Sequence, residues 1–198
     1  MILLVRHGET PSNAARVVQT PDTPLSARGV RQAERLAAHL ASLSVARILT
    51  SDLARALQTA ERVQAATRAE LAIDALLQER NFGDVRGTPY AELRVDLFGP
   101  DFAPPGGENW EEFHRRVDAA WARVRAAAAA TRGNLAVVTH GLVCYSLALR
   151  HLALPGGAPP DMRVPNTALA VIESAPPFRV SLWGSTAHLE DDALAAPV

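Results

Sequence analysis

Two histidines in this chain stand where short apolar runs end. Leu3-Leu4-Val5 leads into Arg6-His7-Gly8, and Leu135-Ala136-Val137-Val138 leads through Thr139 into His140-Gly141. Apolar runs of that length read as buried strands, and strand ends are where open α/β sheets place ligands. The spacing therefore predicts two strands that deliver two histidines to one edge of a sheet. Arg6, beside His7, adds a permanent positive charge with a fork of donors suited to phosphate oxygens. A neutral imidazole can serve as nucleophile or base near neutral pH. Phosphoryl chemistry is the first expectation. The competing one takes His7, His140 and a carboxylate as a metal site, against which the arginine charge would repel a dication.

The elements that must position these residues alternate along the chain. Residues 11–24, rich in small and polar side chains, read as a loop with one helical turn. Ser26 is a plausible helix N-cap, and Val30, Ala33, Leu36, Leu40 and Leu43 follow at helical spacing, with Arg28, Arg31, Glu34 and Arg35 on a solvated face. A strand is expected over 46–50, then a helix from Ser51-Asp52 that turns Leu53, Leu57, Ala60 and Val63 inward. Arg55 falls in the first turn of that helix, where the dipole favours anions; on spacing alone it reads as a surface arginine. A further strand is expected over 70–74, then a polar, glycine-punctuated segment over 77–87 that could carry a catalytic acid. A short helix is expected over 89–97 and a lid-like loop over 98–108. A long helix from Trp110 buries Phe113, Val117, Trp121, Val124 and Ala128, with a stop at Arg132-Gly133. An apolar helix is expected over 142–152, a covering loop over 154–166, and a hairpin from 168–173 and 179–183 around Pro176-Pro177.

Composition narrows the classes. The chain has 198 residues, 48% of them hydrophobic, with no composition break, so a single domain over 1–198 with a mobile tail from about 190 is expected. A net charge of −1 gives no field for nucleic acid. All 20 basic side chains are arginine, which excludes a Walker-type phosphate loop, a Schiff-base aldolase and a pyridoxal enzyme, each of which needs a lysine. The one cysteine, Cys144, allows no intrachain disulfide and no cysteine zinc cluster, and reads as a small buried hydrophobe. Met1 leads directly into the first apolar run, and no run reaches membrane-spanning length, so a cytoplasmic location without a membrane partner is expected.

Together, Leu4-Val5-Arg6-His7-Gly8-Glu9-Thr10-Pro11-Ser12-Asn13, Ser51-Asp52-Leu53-Ala54-Arg55-Ala56-Leu57-Gln58-Thr59-Ala60, Glu79-x-x-Phe82-Gly83 and Thr139-His140-Gly141 resemble the histidine phosphatase superfamily, in its phosphoglycerate mutase-like branch. The resemblance spans residues 1 to about 189. It implies an α/β fold, a three-layer α/β/α sandwich with a mostly parallel central sheet. It also implies that His7 is phosphorylated transiently, that Arg6, Arg55 and His140 hold the phosphoryl oxygens, and that Glu79 is the proton donor, ahead of the competing Glu9. Without the family, Glu79 reads equally well as an ion pair with Arg80 or Arg86. Asn13 and Gln19, which read on spacing as turn and surface amides, become substrate-binding residues with Gly141. Ser12 stands where the family often has tryptophan, Thr20 where glycine is common, and Asn109 where serine is usual, so the pocket wall is expected to differ.

The expected activity is a metal-independent hydrolysis of small phosphomonoesters, without cofactor. The rivals are a cofactor-dependent phosphoglycerate mutase and a silent phosphate-binding module. Residues 81–87 lack the tyrosine and the asparagine-lysine pair of typical cofactor-dependent mutases. Substrate identity and oligomeric state are not readable from these residues.

Overall fold

The computed structural model describes residues 1–157 and 161–190. The expected tail beyond 190 and residues 158–160 of the covering loop lie outside the described residues.

Its framework is a six-stranded sheet in the order β3-β2-β4-β1-β5-β6, where β1 is Ile2–Arg6, β2 Val45–Thr50, β3 Glu70–Ile73, β4 Asn134–Thr139, β5 Leu169–Ile172 and β6 Val180–Ser185. The first four strands run parallel, and β5 and β6 form the expected hairpin, β5 lying antiparallel to β1. Helices cover both faces: α1 is Pro11–Ala14, α2 Ala27–Ala41, α3 Ala54–Thr67, α4 Trp110–Ala130 and α5 Gly141–Arg150.

The continuous apolar runs follow from this layering, because a strand covered on both sides has no solvent face to make polar. Along β1, Ile2 and Leu4 pack with α4 and α5, while Leu3 and Val5 pack with α2 and α3; β4 divides likewise into Leu135 and Val137 against Ala136 and Val138. The helices start where their side chains can satisfy the first backbone donors. Ser26 Oγ accepts from Gly29 N, and Asn109 and Glu112 form a reciprocal capping box at α4. The single expected turn after β1 is α1, capped by Thr10 and Asn13 in the same way.

Three expectations shift. The helix expected from Ser51-Asp52 begins at Ala54, because Ser51 Oγ accepts from Leu53 N and holds that stretch extended. Residues 89–97 form only a 3-10 turn, Tyr90–Glu92. Beyond it the chain lies open, with the carbonyls of Leu97 and Phe102 drawn to the buried guanidinium of Arg80, a use that a regular helix would not leave to them. Arg28 leaves the expected solvated face of α2 and reaches back to Glu9, at 2.7 Å.

The strand order fixes where a site can form. β1 and β4 are neighbours, with Arg6 paired to Thr139, yet α2, which follows β1, and α5, which follows β4, lie on opposite faces. Chains that leave adjacent strand ends in opposite directions open a crevice between them.

Candidate active site

His7 and His140 sit one residue beyond paired strand ends, so the sheet brings them together across 133 positions of sequence: their ring centroids are 5.1 Å apart with the planes tilted by 58°. Both are fully buried. The Nδ1 of His7 lies 2.7 Å from the carbonyl oxygen of Gly8. A carbonyl can only accept, so Nδ1 carries the hydrogen and the lone pair is on Nε2. Arg55 Nε donates to that nitrogen at 3.3 Å. Burial, then the charges of Arg55 and Arg6, hold the imidazole well below the usual histidine range, so His7 is neutral.

The loop carrying His7 is held tightly. Gly8 N donates to Thr59 Oγ1, which in turn donates to Arg55 O, tying the loop to α3. Gly29 at the start of α2 lies against the same loop: a Cβ there would fall 1.9 Å from Glu9 O. On the other side, Thr167 N and Asn166 Nδ2 both donate to His7 O. Glu9 is absorbed by this packing. Its carboxylate accepts from Ser26 Oγ at 2.8 Å and Arg28 Nη1 at 2.7 Å. Of the two carboxylates named by the sequence, only Glu79 lines the cleft.

Arg6 and Arg55 flank the histidines from β1 and α3. The Nη1 of Arg6 donates to Val164 O, whereas its Nε is buried without a partner. Gly141 lies beside this side chain: a Cβ on it would meet Arg6 Nε at 3.5 Å, an ordinary van der Waals contact. Arg55, the arginine that spacing marks as a surface residue, is 2% exposed and anchored through Nη1 to Thr20 O. Desolvation lowers its pKa to about 10, still charged at neutral pH. His140 Nε2 meets Ser51 Oγ at 2.9 Å, and its Nδ1 is buried without a partner. Burial, then the charges of Arg55 and Arg6, keep it well below the usual range as well.

Glu79 closes the site from the α5 side. Its carboxyl oxygens accept from Arg80 N at 3.0 Å and from Leu142 N, in the first turn of α5, at 3.3 Å. Desolvation outweighs these bonds and the nearby Arg55 and Arg6, and raises its pKa above the usual carboxylate range. The guanidinium of Arg80, the ion-pair partner considered from sequence, instead donates to the carbonyls of Glu108, Leu97 and Phe102 and lies 4.2 Å from the Trp110 ring centre.

Arg6, Arg55, Glu79 and Gly141 line a cleft of about 630 Å³, within the range of small-molecule sites; the buried His7 and His140 are not among the described residues that line it. Asn13 and Gln19 both line it. Asn13 Oδ1 accepts from Thr10 N and Asn166 Nδ2, and Gln19 Oε1 accepts from Thr10 Oγ1. The acceptor side of each amide is thereby committed, which leaves the NH₂ group as the side suited to an anion. Ser12 and Thr20 also stand in the wall.

The structure also brings to the cleft four residues with no binding role in the sequence: Arg16, Arg86, Tyr90 and Asn166 line it. Tyr90 N donates to Arg16 O, and the Arg16 guanidinium lies 5.9 Å from the Tyr90 ring centre. Arg16, two residues past α1, and Arg86, in a loop, carry no periodic signal; the segments that hold them are paired at Val17 and Pro89. Among the described residues, no group of three histidine, cysteine or acidic side chains is placed to hold a metal ion, and no helix is long and apolar enough to cross a membrane. Cys144 is buried and its thiol is pushed up by desolvation.

A sequence model of the histidine phosphatase superfamily (branch 1) matches residues 2–184. The "Probable phosphoglycerate mutase GpmB" of Proteus mirabilis is 34% identical over 209 aligned positions, covering 98% of this chain and 96% of that relative. Among solved structures, Bacillus stearothermophilus YhfR superposes with a TM-score of 0.80 at 30% identity, covering 95% of this chain and 98% of that one. The alpha-ribazole phosphatase of Shigella flexneri gives 0.79 at 27%, covering 93% and 96%. A mycobacterial glucosyl-3-phosphoglycerate phosphatase complexed with VO3 gives 0.78 at 25%, covering 93% and 99%.

Proposed function

The chain belongs to the histidine phosphatase superfamily, and from that premise we propose that it is a phosphomonoester hydrolase that works through a phosphohistidine on small phosphorylated metabolites. The observation that carries this reading is the state of His7: neutral, with Nδ1–H locked on Gly8 O and the Nε2 lone pair directed at the Arg55 guanidinium.

Phosphate monoesters resist hydrolysis, so the catalyst must gather positive charge around the phosphoryl group and supply both a nucleophile and a proton for the leaving group. His7 Nε2 attacks phosphorus; the N–P bond forms as the ester P–O bond breaks, and the Glu79 carboxyl passes its proton to the departing alkoxide. Water then attacks the phosphohistidine, the N–P bond breaks, and the water proton returns to Glu79. The raised pKa of Glu79 suits it to begin this cycle protonated. The buried and unpartnered Arg6 Nε and His140 Nδ1 are orphaned polar atoms that phosphoryl oxygens would satisfy, and binding a dianion would favour the protonated form of His140. Arg55 supplies the third cation, with Asn13 and Gln19 as neutral donors, so the dianion is neutralised by side chains and no metal or cofactor is required. A relative that binds VO3, an oxyanion with the phosphoryl shape, is consistent with such a pocket.

The second reading is mutase activity, favoured by the name of the Proteus relative. There the phosphohistidine would return its phosphoryl group to a bound sugar acid instead of water. One experiment separates the two: phosphate release from a panel of phosphomonoesters, 3-phosphoglycerate included, in a strong chelator with product isomers analysed. Release of phosphate in chelator supports the hydrolase. Isomerisation without release establishes the mutase, and activity lost only to chelation overturns the metal-free mechanism.

A further inference from the structure

The proposed proton donor is held in place by a residue that never touches the cleft. Arg116 lies in the second turn of α4, and neither it nor Glu108 is among the described residues lining the cleft. Its guanidinium has five N–H groups, and all five are used. Nε donates to Glu108 Oε1 at 2.7 Å and Nη2 to Glu108 Oε2 at 2.7 Å, a bidentate pair. The remaining three go to backbone: Nη1 to Leu76 O at 2.9 Å and to Gln78 O at 2.7 Å, and Nη2 to Glu79 O at 3.2 Å. Glu108 completes the clasp by accepting from Asn81 N at 2.8 Å through Oε2, while its own N–H donates to Asn81 O at 2.8 Å.

One ion pair, its side chains 18% and 19% exposed, therefore fixes the backbone at residues 76, 78, 79 and 81. Those residues belong to no regular helix or strand, apart from Leu76 in a 3-10 turn. The Glu79 carboxyl itself is bonded to two backbone N–H groups, one of them its neighbour's, so where it points follows from where its backbone lies. We infer that the Arg116–Glu108 pair is a positioning device for Glu79, setting the reach of its proton to the leaving-group oxygen. Only an arginine fork can serve this arrangement, since an ammonium has three donors on a single atom. A misplacement near 1 Å can cost roughly 100-fold in rate.

This inference rests on the reading of Glu79 as proton donor, and the test separates the two. Alkyl leaving groups need that proton; nitrophenolate does not. Because kcat/KM reports the transfer to His7, the decisive quantity is the ratio of kcat/KM for glycerol phosphate to that for p-nitrophenyl phosphate. A loss of folded protein lowers both and leaves the ratio unchanged. Glu79→Gln is expected to lower the ratio by roughly 100-fold or more; an unchanged ratio would overturn the proton-donor role itself. Given that drop, Arg116→Lys is expected to lower the ratio about tenfold, and Glu108→Gln less steeply, a partial loss of the same alignment. An unchanged ratio in Arg116→Lys refutes the positioning role. Should Arg116→Lys not fold, Glu108→Gln decides alone, and its retaining the wild-type ratio refutes it equally.

Discussion

Arg55 Nε points at His7 Nε2 from 3.3 Å, so the cation that would hold the phosphoryl group also guards the nitrogen that would attack it. Arg55→Ala should have two separable effects. Loss of one preorganised donor should lower kcat/KM by about 100- to 1000-fold. Since the Arg55 charge helps depress His7, the same variant should raise the His7 titration, read by NMR of the ring protons. An unmoved titration would mean that burial and Arg6 suffice to keep the imidazole neutral.

His7→Ala should abolish phosphoryl transfer, with kcat down by at least about 1000-fold, as for nucleophiles elsewhere, and with no phosphohistidine trapped on rapid acid quench. Circular dichroism should be unchanged. Full turnover in this variant would remove the mechanism.

For an alkyl phosphate, kcat/KM should be highest on the acid side of neutrality. His7 is held well below the usual histidine range and stays neutral as pH falls through 6. Glu79 is raised, so its proton survives above the usual carboxylate range and is lost as pH climbs further. The descending limb is therefore assigned to Glu79, and a pH profile of Glu79→Gln should lack it.

Stability should move the opposite way on acidification. His7 and His140 are buried with lowered pKa values, and His188, bonded to Thr167 Oγ1, is lowered to about 4 by burial and by His39. Below about pH 6.5 the unfolded chain binds protons that the native histidines refuse, so stability present above that pH is lost as it falls toward 4. Thermal melts from pH 7 to 4 should show a falling Tm, and His188→Gln should flatten part of the slope. Glu79 has the reverse sign: a raised carboxyl stabilises most below about pH 4.5 and loses that contribution as pH rises. Glu79→Gln should thus melt higher than wild type at pH 7 to 8.

Glu9→Ala tests the division of labour between the two carboxylates. It strips the acceptors from Ser26 and Arg28 and should cost about 2 kcal/mol in denaturant unfolding. The alkyl-to-aryl rate ratio should be unaffected; a collapse of that ratio would put Glu9 in the chemistry.

The sheet and its two histidines were legible because an apolar run buried on both faces leaves an unmistakable trace, and because the residues after it stand at known strand ends. Arg55 was legible only through the family motif. Its helix spacing alone places it at the surface, and the contact that anchors its guanidinium, Thr20 O, comes from a separate segment of the chain. Arg16, Tyr90 and Asn166 left no signal, and Arg86 only that of an ion-pair candidate, since loop residues meet by tertiary pairing that no local pattern encodes. The short helix expected over 89–97 failed for a similar reason. Local propensity was overridden by Arg80, a buried guanidinium that recruits the carbonyls of Leu97 and Phe102.

The adjacency of β1 and β4 has a consequence for how activity is acquired. The strand that presents His7 spans residues 2–6 and its partner 134–139. During synthesis the first strand therefore leaves the ribosome long before its neighbour exists, and β2 cannot substitute, because β4 must lodge between them. Such distant pairings close slowly. On the proposed mechanism activity would therefore report on long-range strand pairing: no N-terminal fragment ending before residue 140 holds both histidines, so none is expected to turn over.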